Sequence, residues 1–319
     1  MRVRVRSTTS RGDAPRPTAG APGTTTGGGP APLDLTLLGV AVAGISLSAP
    51  LIAATAAPAL AVALWRNVMA VGALTPLALL RHRAELRAMG ARAVGLSAAA
   101  GALLAVHFGV WLPSLHMTSV SSSTALVTTT PIWTTVLLRL GGHRSSGLVW
   151  AGITVAFLGV LWLTGVDLSL SPRALAGDGL ALAGGMAGAG YMLLGAEVRR
   201  TVGTTAYTCV CYATAAALLL AACLVAGVRL GGYSGTTWLK LAVLTVTAQL
   251  LGHSLLNRVV GGLGPAVTST AILLETPGAA LIAALWLGQH PPAVAYPALG
   301  IILLGLALVV LDGRARRAD

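Results

Sequence analysis

The sequence predicts an all-α integral membrane protein with ten transmembrane helices, arranged as two inverted five-helix repeats. Three observations support this fold class: the composition, the distribution of arginine between loops, and an internal duplication. Of the 319 residues, 55% are hydrophobic and 9% are charged, and the mean hydropathy is +0.81. Apolar runs of about 20 residues recur along the chain, which is the length that a helix needs to cross a bilayer.

The chain divides into two tails and two repeats. Residues 1–32 are rich in Gly, Pro, Thr and Arg and predict a disordered cytoplasmic tail. A cleaved signal peptide is disfavoured there, because the charged part is too long and the next apolar run is a full span. The first repeat is predicted at 33–165, the second at 177–312, and a cytoplasmic tail at 313–319. We predict spans at about 35–55, 58–80, 94–114, 119–139, 147–165, 177–197, 205–227, 237–257, 265–287 and 294–312.

The basic residues indicate how these spans are oriented. With the N-terminus inside, seventeen of the 21 Lys and Arg residues fall in cytoplasmic segments, whereas Arg173, Arg229 and Lys240 fall outside. Cytoplasmic loops carry an excess of Lys and Arg, so we expect both termini in the cytoplasm. Five spans in each half would invert the second half relative to the first, an architecture associated with secondary transporters.

A shift of 146 residues aligns parts of the two halves. The aligned pairs are His107 with His253, Thr129 with Glu275, Thr130 and Pro131 with Thr276 and Pro277, and Gly159 with Gly305. A shared Thr-Pro in one register favours an internal duplication. Because threonine stands opposite glutamate, we expect the halves to share a fold but to differ in chemistry.

The ninth span, within Pro265–Gly288, carries one acidic residue near its middle, Glu275. A carboxylate at bilayer depth costs at least about 2.5–3.5 kcal/mol, so we expect it to face the protein interior or a wet cavity. Pro277 follows two residues later and removes a backbone donor. We therefore predict helix breaks at Pro277 and at its counterpart, Pro131.

Several polar and aromatic residues are candidates for solute binding or coupling. For Glu275 the alternatives are proton coupling, contact with a solute amine, or a structural role. For Arg66 they are a counter-ion for a solute carboxylate, an ion pair such as one with Glu275, or hydrogen bonds to helix carbonyls. His107 and His253 could titrate or bond across a helix interface. Further candidates for the lining of a cavity are Trp133, Trp111, Tyr191, Thr129 and Gln249.

Metal and cofactor sites are not expected. No His, Asp and Glu cluster has the spacing of metal ligands, and Cys209 and Cys211 lie two apart on one predicted helix, pointing away from each other. Cys223 lies in the same apolar run. The basic residues are dispersed between apolar runs, which disfavours a nucleic-acid partner.

Four stretches together resemble EamA-type domains of the drug/metabolite transporter superfamily. They are LWRNVMA at 64–70, PSLHMTSVSSSTALVTTTP at 113–131, GDGLALAGGMAGAGYMLLGAEVRR at 177–200 and ETPGAALIAALWLGQHPP at 275–292. The resemblance covers residues 35–312 and implies a ten-span secondary transporter that exports amino acids, other metabolites or drugs. The chain departs from the family at His143 and Gln289, where the family often has Glu, and at Thr276, which separates Glu275 from the proline.

The sequence thus predicts a secondary active transporter, an exporter of small metabolites or drugs in the cytoplasmic membrane, working by alternating access with a midplane site. Its expected partners are the solute, the lipid bilayer and protons as coupling ion; the sequence does not indicate an oligomeric state. An uncoupled facilitator or channel is the alternative. A polytopic membrane enzyme is disfavoured, because no Ser/His/Asp arrangement appears and only one acid lies deep in a span.

Overall fold

The computed structural model describes residues 32–142 and 146–318, with the side chains of 163–170, 266, 270, 306 and 309–318 left out. Within these ranges every regular element is a helix and none is a strand. The predicted all-α class is confirmed. The predicted tail at 1–32 lies outside the described residues, except for Pro32, which begins the first helix. At the other end the last helix continues to Ala318, past the predicted limit of 312.

The first half contains eight helices. They are α1 (Pro32–Ser46), α2 (Ser48–Ala53), α3 (Ala59–Arg81), α4 (Arg83–Ala88), α5 (Ala91–Ser114), α6 (Val120–Val127), α7 (Thr130–Leu140) and α8 (Gly147–Leu170).

The second half contains six α-helices and one π-helix. They are α9 (Pro172–Val198), α10 (Thr204–Val225), α11 (Gly235–Leu244), the π-helix (Thr245–His253), α12 (Ser254–Ile272), α13 (Glu275–Leu287) and α14 (Ala295–Ala318). Helices therefore make up most of the described part of each of the ten apolar stretches picked out in the sequence.

Six helical segments of the described residues are long and apolar enough to cross a membrane. They are Pro32–Ala53, Ala59–Arg81, Ala91–Ser114, Pro172–Val198, Thr204–Val225 and Gly235–Pro265. Three shorter apolar helices accompany them, namely Gly147–Trp162, Glu275–Leu287 and Ala295–Gly305. This pattern is that of a multi-pass α-helical membrane protein.

Among the described residues, a two-residue turn interrupts two apolar stretches near their middle, between α6 and α7 and between α12 and α13. At both interruptions a backbone N–H bonds the carbonyl three residues back: Thr129 to Leu126 at 3.2 Å, and Leu274 to Ala271 at 3.1 Å. Pro131 and Pro277 lie just after the breaks, in the first turns of α7 and α13. A proline is tolerated there because the first turn of a helix needs no N–H donor.

A third change of direction lies inside α12, at Gly264. Its φ of 80° is a left-handed conformation that glycine adopts without steric cost. The residues before Gly264 continue the eighth apolar stretch, and those after it begin the ninth. The connection between these two stretches is therefore a tight turn at one end of the bundle.

The helices pack in pairs through small residues. α5 packs along α9, α10 packs on α3 and α5, and α8 packs along α14. In the last pair the two glycines aligned by the 146-residue shift face the opposing helix. A Cβ on Gly159 would lie 2.8 Å from Ile302, and one on Gly305 would collide with the backbone of Gly152 and Ala156. Glycine at both positions lets the two backbones come close together.

We expect Gly305→Val to separate α8 from α14 and to destabilise the protein by about 1–3 kcal/mol, the usual cost of overpacking. Thermal unfolding of the purified protein in detergent would measure the change. The matched control is Gly300→Val on the same helix, where an added Cβ would meet no atom within 4 Å. Equal unfolding temperatures for the two variants would contradict this close packing.

Candidate functional site

A narrow cavity lies between the two halves, beside both helix breaks. Its volume is about 60 Å³, which is space for a few water molecules. The walls come from α1, α2, α5, α6 and α7 of the first half and from α9, the π-helix, α12 and α13 of the second half. Among the residues singled out in the sequence, the lining includes Glu275, His107, His253, Tyr191 and Trp111.

Glu275 is the first residue of α13 and faces this cavity. Its position follows from the break, because the helix that would otherwise pass through the bilayer starts anew at the carboxylate. The N-terminus of a helix carries a partial positive charge, which favours an acid in the first turn. The side chain is 6% exposed, and no ion pair joins it to a basic side chain of the described residues. A buried carboxylate therefore faces the cavity without a fixed counter-ion.

Arg66 lies behind the cavity wall on α3 and is fully buried. Its Nε donates to Oε1 of Gln249 at 2.8 Å, and its Nη1 donates to Oγ of Ser48 at 3.4 Å. The guanidinium carbon lies 4.1 Å from the centre of the Phe108 ring, within cation–π range. Arg66 is thus held by neutral side chains and does not form an ion pair with Glu275. Its Nη2 has no hydrogen-bond partner.

The π-helix positions two of the predicted residues, Gln249 and His253. Hydrogen bonds in a π-helix span five residues, and here the N–H of Ser254 bonds the carbonyl of Gln249. The wider turn directs the amide of Gln249 toward Arg66 and toward Oδ1 of Asn67, at 3.4 Å. It also brings the imidazole of His253 to the cavity. Such helices are rare, and they occur often at functional sites.

The two histidines aligned by the sequence shift meet at the cavity. Their ring centres lie 6.3 Å apart, and the Phe108 ring packs 5.2 Å from His253. Nδ1 of His107 lies 2.8 Å from the carbonyl oxygen of Gly184. A carbonyl only accepts, so this nitrogen carries the proton, and in a neutral ring Nε2 is then an acceptor. Nδ1 of His253 is buried without a partner.

A chain of hydrogen bonds starts at Tyr191 and runs behind the cavity. The Tyr191 hydroxyl donates to Oδ1 of Asn257 at 2.8 Å, and the Asn257 amide donates to the Tyr212 hydroxyl at 3.4 Å. The Tyr212 oxygen lies 3.2 Å from Oγ of Ser254, which donates to the Gln249 carbonyl at 3.2 Å. This chain connects the cavity wall with the π-helix.

Three predicted lining residues lie outside the wall. Gln249 belongs to the layer behind it, with Arg66. Thr129 is turned away and accepts from Nε1 of Trp133 at 3.2 Å, so that neither residue lines the cavity. The neighbours of Thr129 line it instead, and the Thr128 hydroxyl lies 2.8 Å from that of Thr276.

Other lining residues were not singled out from the sequence. They include Asn257, Thr128, Thr130, Ser48 and Thr268. Asn257 had a signal, since it is an amide side chain in an apolar run, but the sequence places it at the end of a span. The serine and threonine residues of the lining had no such signal in the sequence, because serine and threonine are frequent throughout the chain.

The described residues contain no group of three or more His, Cys, Asp and Glu side chains that could hold a metal ion. Cys209, Cys211 and Cys223 are free thiols. The chemistry that the cavity offers is therefore that of one carboxylate, two imidazoles, hydroxyls and an amide, set among apolar and aromatic walls.

We expect Gln249→Leu to destabilise the protein by about 1.5–3 kcal/mol, the usual value of a hydrogen bond to a charged group, because it leaves Nε of the buried Arg66 unpaired. Thermal unfolding in detergent measures the loss. Gln249→Glu, which keeps an acceptor oxygen, should lose less. Val246→Ala is the control, since Val246 lies in the same π-helix and is 51% exposed. A Gln249→Leu protein as stable as the control would contradict the network.

Comparison with known proteins supports the fold of this chain but does not indicate its activity. No family model matches the sequence, and no curated protein matches it. A protein with a solved crystal structure is similar in fold, with a TM-score of 0.60 over 88% of this chain and 97% of that chain. The two sequences are 17% identical. At this identity the likeness shows a shared fold and does not carry an activity from one protein to the other.

Proposed function

We propose that this chain is a secondary active transporter of small metabolites or drugs, an exporter of the EamA type that works by alternating access. The observation that carries the proposal is a cavity that contains a carboxylate without an ion pair, at the point where two apolar helices both break. Broken helices around a midplane cavity are typical of solute sites in secondary transporters. An ionisable residue inside a membrane bundle is expensive and usually functional.

The packing of the helices supports ten spans in two inverted repeats. α1 packs against the π-helix, and its counterpart α9 packs against α5. α6 packs against α9, as α12 and α13 pack against α1. The pairs α3 with α10 and α8 with α14 are each their own counterparts, and the pair α6 with α13 exchanges with the pair α12 with α7. Exchanging the two halves therefore reproduces these contacts, which supports a pseudo-two-fold axis in the membrane plane.

With both termini in the cytoplasm, this topology defines which end of the cavity faces the cytoplasm and which faces the outside. From the breaks it extends to Val260 and Thr268, which flank the turn at Gly264. On the other side α6 packs against α13, with the bond between Thr128 and Thr276 at the contact. In this arrangement the site would be shut toward the outside. The cavity as it stands has room for only a few water molecules, so solute binding requires the walls to separate.

The cavity chemistry supports protons as the coupling ion. A carboxylate without a fixed partner can take up and release a proton when its surroundings change. Arg66 is a nearby positive charge that is fixed to α3 by Gln249, Ser48 and Phe108. Movement of α13 relative to α3 would change the attraction between Arg66 and Glu275, and with it the ease of protonation. Alternating access would thereby be linked to proton exchange.

We expect Glu275→Gln to abolish coupled transport while the protein stays folded, because the amide keeps the shape and removes the titration. Wild-type and variant proteins are reconstituted in liposomes that contain a pH-sensitive dye. Amino acids, amines and small drugs are then added one by one. A solute that moves protons in the wild type should move none in the variant, while exchange of the same labelled solute across the membrane continues.

The control is Glu197→Gln, which removes a surface carboxylate that pairs with Arg92 and Arg200. This variant should couple as the wild type does. Proton movement that survives in Glu275→Gln would exclude Glu275 as the coupling residue. Solute flux in the wild type that never moves protons and never runs uphill would favour the uncoupled facilitator instead.

A further inference from the structure

A hollow of about 490 Å³ lies where α3 meets α4 and shares no lining residue with the cavity. Its walls are two leucines and two arginines, namely Leu79, Leu86, Arg83 and Arg87. The leucine on α3 is 55% exposed, and Leu80 beside it is 84% exposed. The hollow thus has an apolar side that continues the lipid-facing surface of α3 and a cationic side formed by α4.

The two arginines share one face of α4. They stand four residues apart, a spacing at which two like charges on a helix destabilise it. Glu85 lies between them in sequence but points elsewhere: it pairs with Nδ1 of His82 at 3.3 Å and accepts from the backbone N–H of Gly203. Neither arginine has an ion pair within the described residues. Two positive charges therefore stand together at this hollow without a protein counter-ion.

We propose that this hollow binds an anionic phospholipid, with its phosphate between Arg83 and Arg87 and an acyl chain along Leu79. Guanidinium groups bind phosphate oxygens in a bidentate manner, and an anion between the two arginines removes their repulsion. The exposed leucines favour a lipid over a soluble anion, because they offer a surface for the acyl chain. The proposal rests on the end of α3 lying at a membrane surface and is independent of transport.

Native mass spectrometry of the full-length protein in detergent tests this site. Phosphatidylglycerol and phosphatidylcholine are titrated in parallel, and the first bound lipid is counted at each concentration. We expect phosphatidylglycerol to bind about tenfold more tightly or better, since each basic residue near an anionic headgroup contributes about 1 kcal/mol. Inorganic phosphate at millimolar concentration should not displace the lipid.

Arg83→Gln/Arg87→Gln should reduce the affinity for phosphatidylglycerol to that for phosphatidylcholine. Arg83→Lys/Arg87→Lys keeps the charge and should keep part of the preference, which also guards against loss through misfolding. Arg139→Gln/Arg258→Gln is the matched control, because it removes the same charge from two other exposed arginines. Equal losses in the control and the site variant, no preference in the wild type, displacement by phosphate, or an unchanged double variant would each overturn the proposal.

Discussion

The structure depends on one constraint: the hydrocarbon core of a membrane offers no hydrogen-bond partner, so every polar group inside it must be satisfied by the protein or by enclosed water. An unbroken helix meets this requirement alone. The two interrupted helices do not meet it alone, because backbone groups at each break lack a helical hydrogen-bond partner. The surrounding helices supply these partners. The cavity, the buried charges and the small residues on neighbouring helices can all be understood from this requirement.

The break between α6 and α7 illustrates how the requirement is met. Pro131 has no N–H, so the carbonyl of Val127 loses its helical partner. The Thr130 hydroxyl donates to that carbonyl at 3.0 Å. Gly185 on α9 packs against the same carbonyl so closely that an added Cβ would lie 2.7 Å from its oxygen. The adjacent Thr128 bonds across to Thr276 at the other break. The two interruptions therefore stabilise each other and leave their remaining polar groups facing one cavity.

Features set by local sequence were predictable. The helices follow from apolar runs and their ends, and the shift of 146 residues pairs His107 with His253, whose rings meet in the structure. The positions of the helix breaks were nearly right, because proline in an apolar run constrains the backbone on its N-terminal side. Gly159 and Gly305 were aligned as well, although only the structure shows that both lie at a helix crossing.

Features set by geometry across the bundle were not predictable. The turn at Thr128 and Thr129 determines which hydroxyl faces the cavity, and the residue types in this stretch do not indicate the geometry of that turn. The π-helix rotates Gln249 toward Arg66 and away from the wall, and it has no sequence signature. Arg66 and Glu275 are at similar predicted depths, which suggested a pair. Their actual separation depends on Gln249, Ser48 and Phe108, which come from three other elements and are brought together only by folding.

The central claim is that the cavity at the breaks is a water-accessible solute site, and the most direct test is the reactivity of single cysteines on its wall. In a chain lacking Cys209, Cys211 and Cys223, a cysteine replaces either Val260, which lines the cavity, or its fully buried neighbour Val259, which does not. Val260→Cys should react with a small membrane-impermeant thiol reagent added from the cytoplasmic side, and transported solute should slow the reaction, whereas Val259→Cys should not react. A Val260→Cys protein that is unreactive, or that reacts at a rate indifferent to every transported solute, would contradict the claim.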